Sequence, residues 1–323
     1  MNLSCNAVAL ASILFLGSTA SPLDPPAPPN TVQPTPSTEN RSRAAGWGER
    51  SWLDQHEDGR RFLKESSHPS GADLLLLGDS ITQSFGGQGR RTGQPGREAL
   101  QGSLPGLVVA NQGISGDRTQ HLIWRIRNGA LANRQPRWIA VMIGTNNLPH
   151  DDAGEIALGI QKVVEELRAI SPDSIVLLHA VPPRGVRSDD PMRKRADETN
   201  RIARTFADGQ RVRWVDPWPV LLDEAGRPRT GFLAADGVHL GPDGYGAWAG
   251  RLKLELSRAP ASDQDADQTT TEATEAVHQH ARMPATSARG AMAEISARRL
   301  GARAPRPPTW IAIDGMLANP QSA

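Results

Sequence analysis

The chain has 323 residues, enough for one well-packed core, and 22% of them are charged, as is usual for globular proteins. Its formal net charge of +1 gives no reason to expect binding to nucleic acid or to an anionic membrane surface. The single cysteine, Cys5, excludes an internal disulfide and a thiolate metal site.

The N-terminus predicts an export signal over residues 1–20. The apolar run at 7–17 is too short to span a bilayer, and Ser18-Thr19-Ala20 gives a small-x-small cleavage pattern. No Lys or Arg precedes the run, so an uncleaved anchor and a misassigned start codon remain alternatives. A periplasmic or secreted protein is therefore expected. Residues 21–46 are rich in Pro, Ser and Thr and predict an extended linker.

Residues 47–257 alternate strand and helix patterns. The predicted strands are Asp73–Leu77, Leu107–Ala110, Trp138–Ile143, Ser174–Ala180 and Val212–Val215. The predicted helices are Thr119–Asn128, Ala153–Ile170, Met192–Phe206 and Pro242–Leu256. Apolar strands alternating with helices predict one three-layer α/β/α domain with a parallel, doubly wound sheet. Residues 258–323 are first acidic and then basic, and they predict a disordered tail.

Ser80 follows the four leucines of the first predicted strand, in Gly78-Asp79-Ser80. Open α/β sheets bind their ligands at the carboxyl ends of strands, so a serine here is a candidate nucleophile. Asp-Ser is also a common helix cap, and the motif alone would favour that interpretation. The residues that follow the later strands favour the nucleophile interpretation over the helix cap.

His239 and Asp236 follow the last predicted strand, just before a helix that begins at Pro242. His239 is the candidate base for Ser80, and Asp236, three residues earlier, is close enough in a turn to orient the imidazole. An Asp-x-x-His pair is weak evidence alone, because both residues are common in loops. Its position after the last strand allows the histidine to reach the end of the first.

Three donors are predicted for an oxyanion hole: the backbone N–H groups of Ser80 and Gly113 and the side-chain amide of Asn146. Taken singly, Gly113 would indicate a tight turn and Asn146 an Asx turn. On the helix after the second strand, Arg125 could line the cleft, but a surface or capping role is predicted for it. Asp117, which precedes this helix, is predicted to hold a turn.

These blocks resemble the SGNH, or GDSL-type, hydrolase superfamily: Gly78-Asp79-Ser80, Gly113, Gly144-x-Asn146 and Asp236-x-x-His239. Within it the chain looks most like the catalytic α subunits of platelet-activating-factor acetylhydrolases, on the stretches 113–119, 121–125, 144–147 and 182–185. Residues 53–256 carry the resemblance. It implies a flavodoxin-like fold and catalysis by Ser80, Asp236 and His239 without a metal or cofactor. A homodimer would be one assembly consistent with it.

The resemblance implies hydrolysis of short-chain, acetyl O-esters through an acyl-enzyme on Ser80, with a small molecule or a glycan ester as substrate. An exported carbohydrate O-acetylesterase is the alternative within this class. A non-catalytic carbohydrate- or partner-binding module would lack Ser80, His239 or Asn146, and all three are present. A nucleotide-binding domain would need a phosphate-binding glycine motif, and the sequence has none.

Overall fold

A computed structural model describes residues 27–89 and 94–258. The predicted signal peptide at 1–20 and all but the first residue of the predicted tail lie outside these residues. The described strands form one parallel sheet in the order β2-β1-β3-β4-β5. Their bounds are β1 Leu74–Gly78, β2 Val109–Gly113, β3 Trp138–Met142, β4 Ile175–His179 and β5 Val212–Val215.

Helices cover both faces of the sheet. The α-helices are α1 Trp52–Glu65, α2 Ser80–Gln83, α3 Arg97–Ser103, α4 Thr119–Arg127, α5 Ala153–Ile170, α6 Pro191–Ala203 and α7 Pro242–Ser257. Short 3-10 helices lie at Asn30–Val32, Arg204–Phe206 and Trp218–Leu221. Several helices begin where local chemistry favours it: Ser51 and Asp54 form a capping box for α1, and Pro242 begins α7 at its first turn.

Alternation along β1 divides the core into two halves. Leu75 and Leu77 pack in one cluster with apolar residues of α4, α5 and α6, whereas Leu74 and Leu76 pack in another with residues of α3 and α7. All four leucines are fully buried, as a central parallel strand requires. The result is the predicted three-layer α/β/α fold.

The strand order places a topological switch point beside β1. The chain passes from β1 outward to β2 and then crosses back to β3, so β1 lies between them, with Gly78 paired to Gly113 on one side and to Met142 on the other. Ligands bind at such a point in sheets of this order. The loops after β1, β2 and β3 therefore meet at one edge of the sheet.

The described part of the predicted linker lies against the domain. Thr31 is fully buried, its hydroxyl donates to Glu155 O at 2.7 Å, and its carbonyl accepts from Thr119 Oγ1 at 2.9 Å. Farther along, the backbone N–H of Thr35 donates to Gln120 O at 3.2 Å. Residues 27–46 therefore do not form the predicted extended spacer. Hydrogen bonds to the first turns of α4 and α5 hold this segment, although it has few apolar residues to bury.

Candidate active site

Ser80 begins α2 directly after β1. Asp79 caps this helix by accepting a hydrogen bond from Ile81 N at 3.0 Å, so the predicted capping role of the Asp-Ser pair belongs to Asp79. Ser80 is half-buried, and its Oγ lies 2.8 Å from His239 Nε2. The nucleophile candidate and the base candidate, separated by 159 positions in the chain, are in hydrogen-bond contact.

His239 is oriented by Asp236, as the sequence predicts. Asp236 Oδ2 lies 2.6 Å from His239 Nδ1, and its Oδ1 accepts from the backbone N–H groups of Val238 at 2.9 Å and His239 at 3.0 Å. Burial by itself would raise the pKa of Asp236, but these hydrogen bonds from His239 and Val238 hold it at about 2. The carboxylate is therefore ionised at neutral pH.

The ionised carboxylate determines the tautomer of His239. A carboxylate only accepts hydrogen bonds, so the imidazole proton must lie on Nδ1, and Nε2 is left as an acceptor for the Ser80 hydroxyl. This is the protonation state that a general base needs before attack.

The oxyanion donor predicted at Gly113 is not available. Its N–H donates to Asn111 Oδ1 at 2.8 Å, and it is the last residue of β2 rather than part of a turn. A glycine is needed there for another reason: a Cβ would collide with the backbone N of Gln83 in α2. The prediction that Gly113 is an oxyanion donor is therefore wrong, because its N–H is already bound to the side chain of Asn111.

Gly116 lies three residues later and takes the place of Gly113 as a candidate. Its φ is +83°, and its N–H makes no hydrogen bond within residues 27–89 and 94–258. The turn that contains it lies beside α2, because Ser115 N donates to Gln83 Oε1 at 3.1 Å. Gly116 was not predicted as a donor, although the sequence places it in a short Gly113-x-x-Gly116-Asp117 motif after the second strand.

Asn146 lies next to this turn. Its Nδ2 donates to Asp117 O at 2.9 Å, and because an amide nitrogen carries two hydrogens, a second donor remains. The backbone N–H of Ser80 also has no acceptor among the described residues. Ser80 N, Gly116 N and Asn146 Nδ2 are therefore the candidate donors for an oxyanion.

Asp117 and Arg125 form a buried ion pair behind the nucleophile. Both side chains are fully buried, and Arg125 Nη2 lies 2.6 Å from Asp117 Oδ2. Arg125 also donates to Gln112 O at 2.8 Å and to Gly78 O at 3.2 Å, so it joins the ends of β2 and β1. The predicted surface or capping role of Arg125 is wrong, because its charge is satisfied inside the domain.

Asp79 is fully buried next to the site. Burial raises its pKa to about 7, although the Ile81 N–H and the nearby charges of His239 and Arg184 act in the opposite direction. Its Oδ2 has no hydrogen-bond partner in the described chain. At pH values below about 7, this carboxyl group therefore favours its neutral form.

In residues 27–89 and 94–258, no three His, Cys, Asp or Glu side chains are grouped so that they could hold a metal ion. None of the helices in the same ranges is both long and apolar enough to cross a bilayer.

A known family covers the central part of the chain. Residues 76–247, which include the predicted nucleophile, base and acid, match the GDSL-like Lipase/Acylhydrolase family. The chain belongs to this family. As a GDSL-like acylhydrolase, it is an enzyme of the esterase and hydrolase class.

Two relatives of this GDSL-like hydrolase are platelet-activating factor acetylhydrolase IB subunits. The alpha1 subunit of Rattus norvegicus is 28% identical over 228 residues, covering 67% of this chain and 87% of the relative. The alpha2 subunit of Homo sapiens is 31% identical over 156 residues, covering 48% and 61%. A solved structure from Streptococcus pneumonia, described as that of a platelet activating factor, covers 67% of this chain and 97% of its own, with a TM-score of 0.52 and 20% identity. That likeness concerns the fold alone.

Proposed function

We propose that this hydrolase is a serine esterase that cleaves short-chain, acetyl O-esters through an acyl-enzyme on Ser80. The observation that carries the proposal is the continuous set of hydrogen-bond contacts from Ser80 Oγ through His239 to Asp236, at 2.8 and 2.6 Å. Nucleophile, base and orienting acid within hydrogen-bond reach are what acyl transfer requires.

In the first half of the reaction, Ser80 Oγ attacks the acyl carbon while its proton passes to His239 Nε2. Negative charge develops on the carbonyl oxygen, where N–H donors of Ser80, Gly116 and Asn146 would stabilise it. His239 then gives its proton to the departing alkoxide, the ester C–O bond breaks, and the alcohol leaves with the acyl group on Ser80.

In the second half, His239 takes a proton from water, and the resulting hydroxide attacks the acyl-enzyme. Collapse of the second tetrahedral intermediate releases the carboxylic acid, and the proton returns from His239 to Ser80 Oγ. Asp236 keeps its negative charge throughout and stabilises the imidazolium that forms in each half.

The acetyl preference is supported by the relatives, which are named as acetylhydrolases. The openness of the site is consistent with a water-soluble ester. The side chains of His239 and Asp236 are 40% and 51% exposed, so an acyl acceptor of considerable size can approach from solvent.

Ser80→Ala tests the nucleophile. The variant should keep its fold and lose esterase turnover, and an organophosphonate should label the wild type once, on the peptide containing Ser80. Ser84→Ala, which removes a hydroxyl one turn farther along, is the matched control and should retain both turnover and label. Labelling of another residue, or full turnover in Ser80→Ala, would refute the assignment.

A substrate panel tests the ester class. Aryl esters of increasing acyl length report on the acyl group, whereas an acetylated phospholipid and acetylated sugars compare acyl acceptors. Fastest turnover of the acetyl esters supports the proposal, and a steady increase toward long acyl chains contradicts it. Strong preference for the sugars would select a carbohydrate O-acetylesterase.

A further inference from the structure

The loop between β4 and α6, residues 180–190, joins the two sides of the candidate site. On one side, Arg184 Nη1 donates to Thr145 O at 2.9 Å, next to Asn146. On the other, the backbone N–H of Gly185 donates to Gly237 O at 2.8 Å. Gly237 lies between Asp236 and His239 in the chain, so this loop supports both the candidate oxyanion donor and the candidate base.

Arg193, on the first turns of α6, holds this loop in place. Its side chain is buried, with 3% exposure, and its Nε donates to Arg184 O at 3.2 Å. Its Nη2 donates to Gly185 O, and its Nη1 donates to Gly226 O in the turn that precedes the catalytic loop. A guanidinium has its donors in a rigid planar arrangement, so one side chain fixes three carbonyl groups relative to one another.

We propose that Arg193 is a positioning residue for His239, acting through Gly185 and Gly237. The inference rests on the proposed function, since it assigns the purpose of this contact to the esterase base. Arg193 Nε donates to the carbonyl of the Arg184–Gly185 peptide, whose N–H donates to Gly237 O, and the 236–239 turn then holds the imidazole 2.8 Å from Ser80 Oγ. Without the guanidinium, the Arg184–Gly185 peptide loses the hydrogen bond to its carbonyl, and we expect His239 to spend less time in contact with the nucleophile.

The burial of Arg193 also indicates a specific role. A buried cation is costly unless its hydrogen bonds are satisfied, and here three backbone carbonyls supply that compensation. Two of the three acceptors, Arg184 O and Gly185 O, belong to the loop that contacts the candidate site, and none belongs to the helix that carries Arg193. Its side chain therefore joins loops to each other rather than stabilising α6.

The test uses Arg193→Met and Arg193→Lys in the whole protein, with Arg201→Met as the matched control. Arg201 lies on the same helix, exposed and paired with Glu198. A displacement of the base by about 1 Å can reduce turnover by about 100-fold. Arg193→Met should therefore lower kcat by about 10- to 100-fold with little change in KM, and Arg193→Lys, which keeps one donor group, should lower it less. Arg201→Met should behave as the wild type.

Nitrogen NMR of the His239 imidazole gives a readout independent of turnover. In the wild type, its shifts should report a proton fixed on Nδ1, and in Arg193→Met they should move toward a mixture of tautomers. Circular dichroism, recorded well below the unfolding temperature, selects the folded variants, and Arg193→Lys remains informative if the Met variant unfolds. Unchanged kcat and unchanged imidazole shifts in a folded Arg193 variant would overturn the inference. If the wild type itself has no esterase activity, the proposed function fails, and the NMR comparison still decides whether Arg193 positions His239.

Discussion

Asp79→Asn removes the carboxyl group that lies buried immediately before Ser80. The pKa of Asp79 rises from its ordinary value of 3.8 to about 7, chiefly because of burial. Between these values an unfolded chain carries an ionised Asp79, whereas the folded chain keeps the proton. Folding then takes up a proton at this group, so the contribution of Asp79 to stability falls as pH rises from about 4 to about 7.

The size of this effect follows from the difference of about three pH units between the two pKa values, which corresponds to about 4 kcal/mol. The D79N variant has no titrating group here and keeps an oxygen that can accept from Ile81 N. We therefore expect its stability relative to the wild type to increase by about 4 kcal/mol between pH 4 and pH 8, a large fraction of a typical domain's stability.

Urea unfolding at a series of pH values, followed by tryptophan fluorescence, measures this difference. The comparison between two proteins cancels the titration of all other groups that the substitution leaves unchanged. Asp152→Asn, at the exposed cap of α5, controls for the loss of a helix-capping carboxylate. If the stability difference between D79N and wild type stayed constant from pH 4 to pH 8, Asp79 would have to be ionised in the folded protein over this range. The reasoning about its burial would then be wrong.

Other substitutions test the site and its support. Asn146→Ala should lower kcat by about 100- to 1,000-fold with KM almost unchanged, since an oxyanion donor acts mainly in the transition state. Steady-state kinetics on an aryl acetate measure this effect. Near-normal kcat would mean that Asn146 only stabilises a turn. His239→Ala should lower kcat at least as much as Asn146→Ala, because Ser80 then has no base. Steady-state kinetics on the same aryl acetate measure this, and near-normal kcat would contradict the role of His239 as base. Arg125→Met should destabilise the fold by about 3–5 kcal/mol, because the Asp117 carboxylate is left buried without its cation and keeps, among the described residues, only the hydrogen bond from Trp52 Nε1. Urea unfolding measures this, and a loss below about 1 kcal/mol would mean that the pair contributes little.

The fold was predictable because each central strand is a short apolar run that follows or precedes a helical pattern. The prediction of β2 started and ended too early, at 107–110 instead of 109–113, because its last three residues, Asn111, Gln112 and Gly113, are polar or small. The helix α1 was not predicted. Its sequence is dominated by charged residues and contains Gly59, and that glycine is required because Gln112 packs where a Cβ would lie.

The residues that carry the proposed chemistry were predictable, whereas their supports were not. Ser80, Asp236, His239 and Asn146 each follow a strand in a short motif, and the parallel sheet brings such positions together. Arg125 shows the limit: an arginine on a helix is usually exposed, and only the structure reveals that Gly78 O, Gln112 O and Asp117 satisfy it inside the core. A sequence readily indicates which side chains can take part in catalysis. It gives much less indication of which charged side chains are buried beneath the site.

The choice between Gly113 and Gly116 depends on backbone hydrogen bonds, which have no signature in the sequence. Buried N–H groups are almost always paired, so an N–H reserved for a substrate must be one that the surrounding side chains leave unpaired. Asn111 pairs the N–H of Gly113, and no described residue pairs that of Gly116. The same reasoning explains why Arg193 escaped notice, since its acceptors are backbone carbonyls of loops up to 33 residues away along the chain. Motifs therefore identify the groups that react. Packing across the loops determines which peptide N–H groups remain unpaired and can assist them.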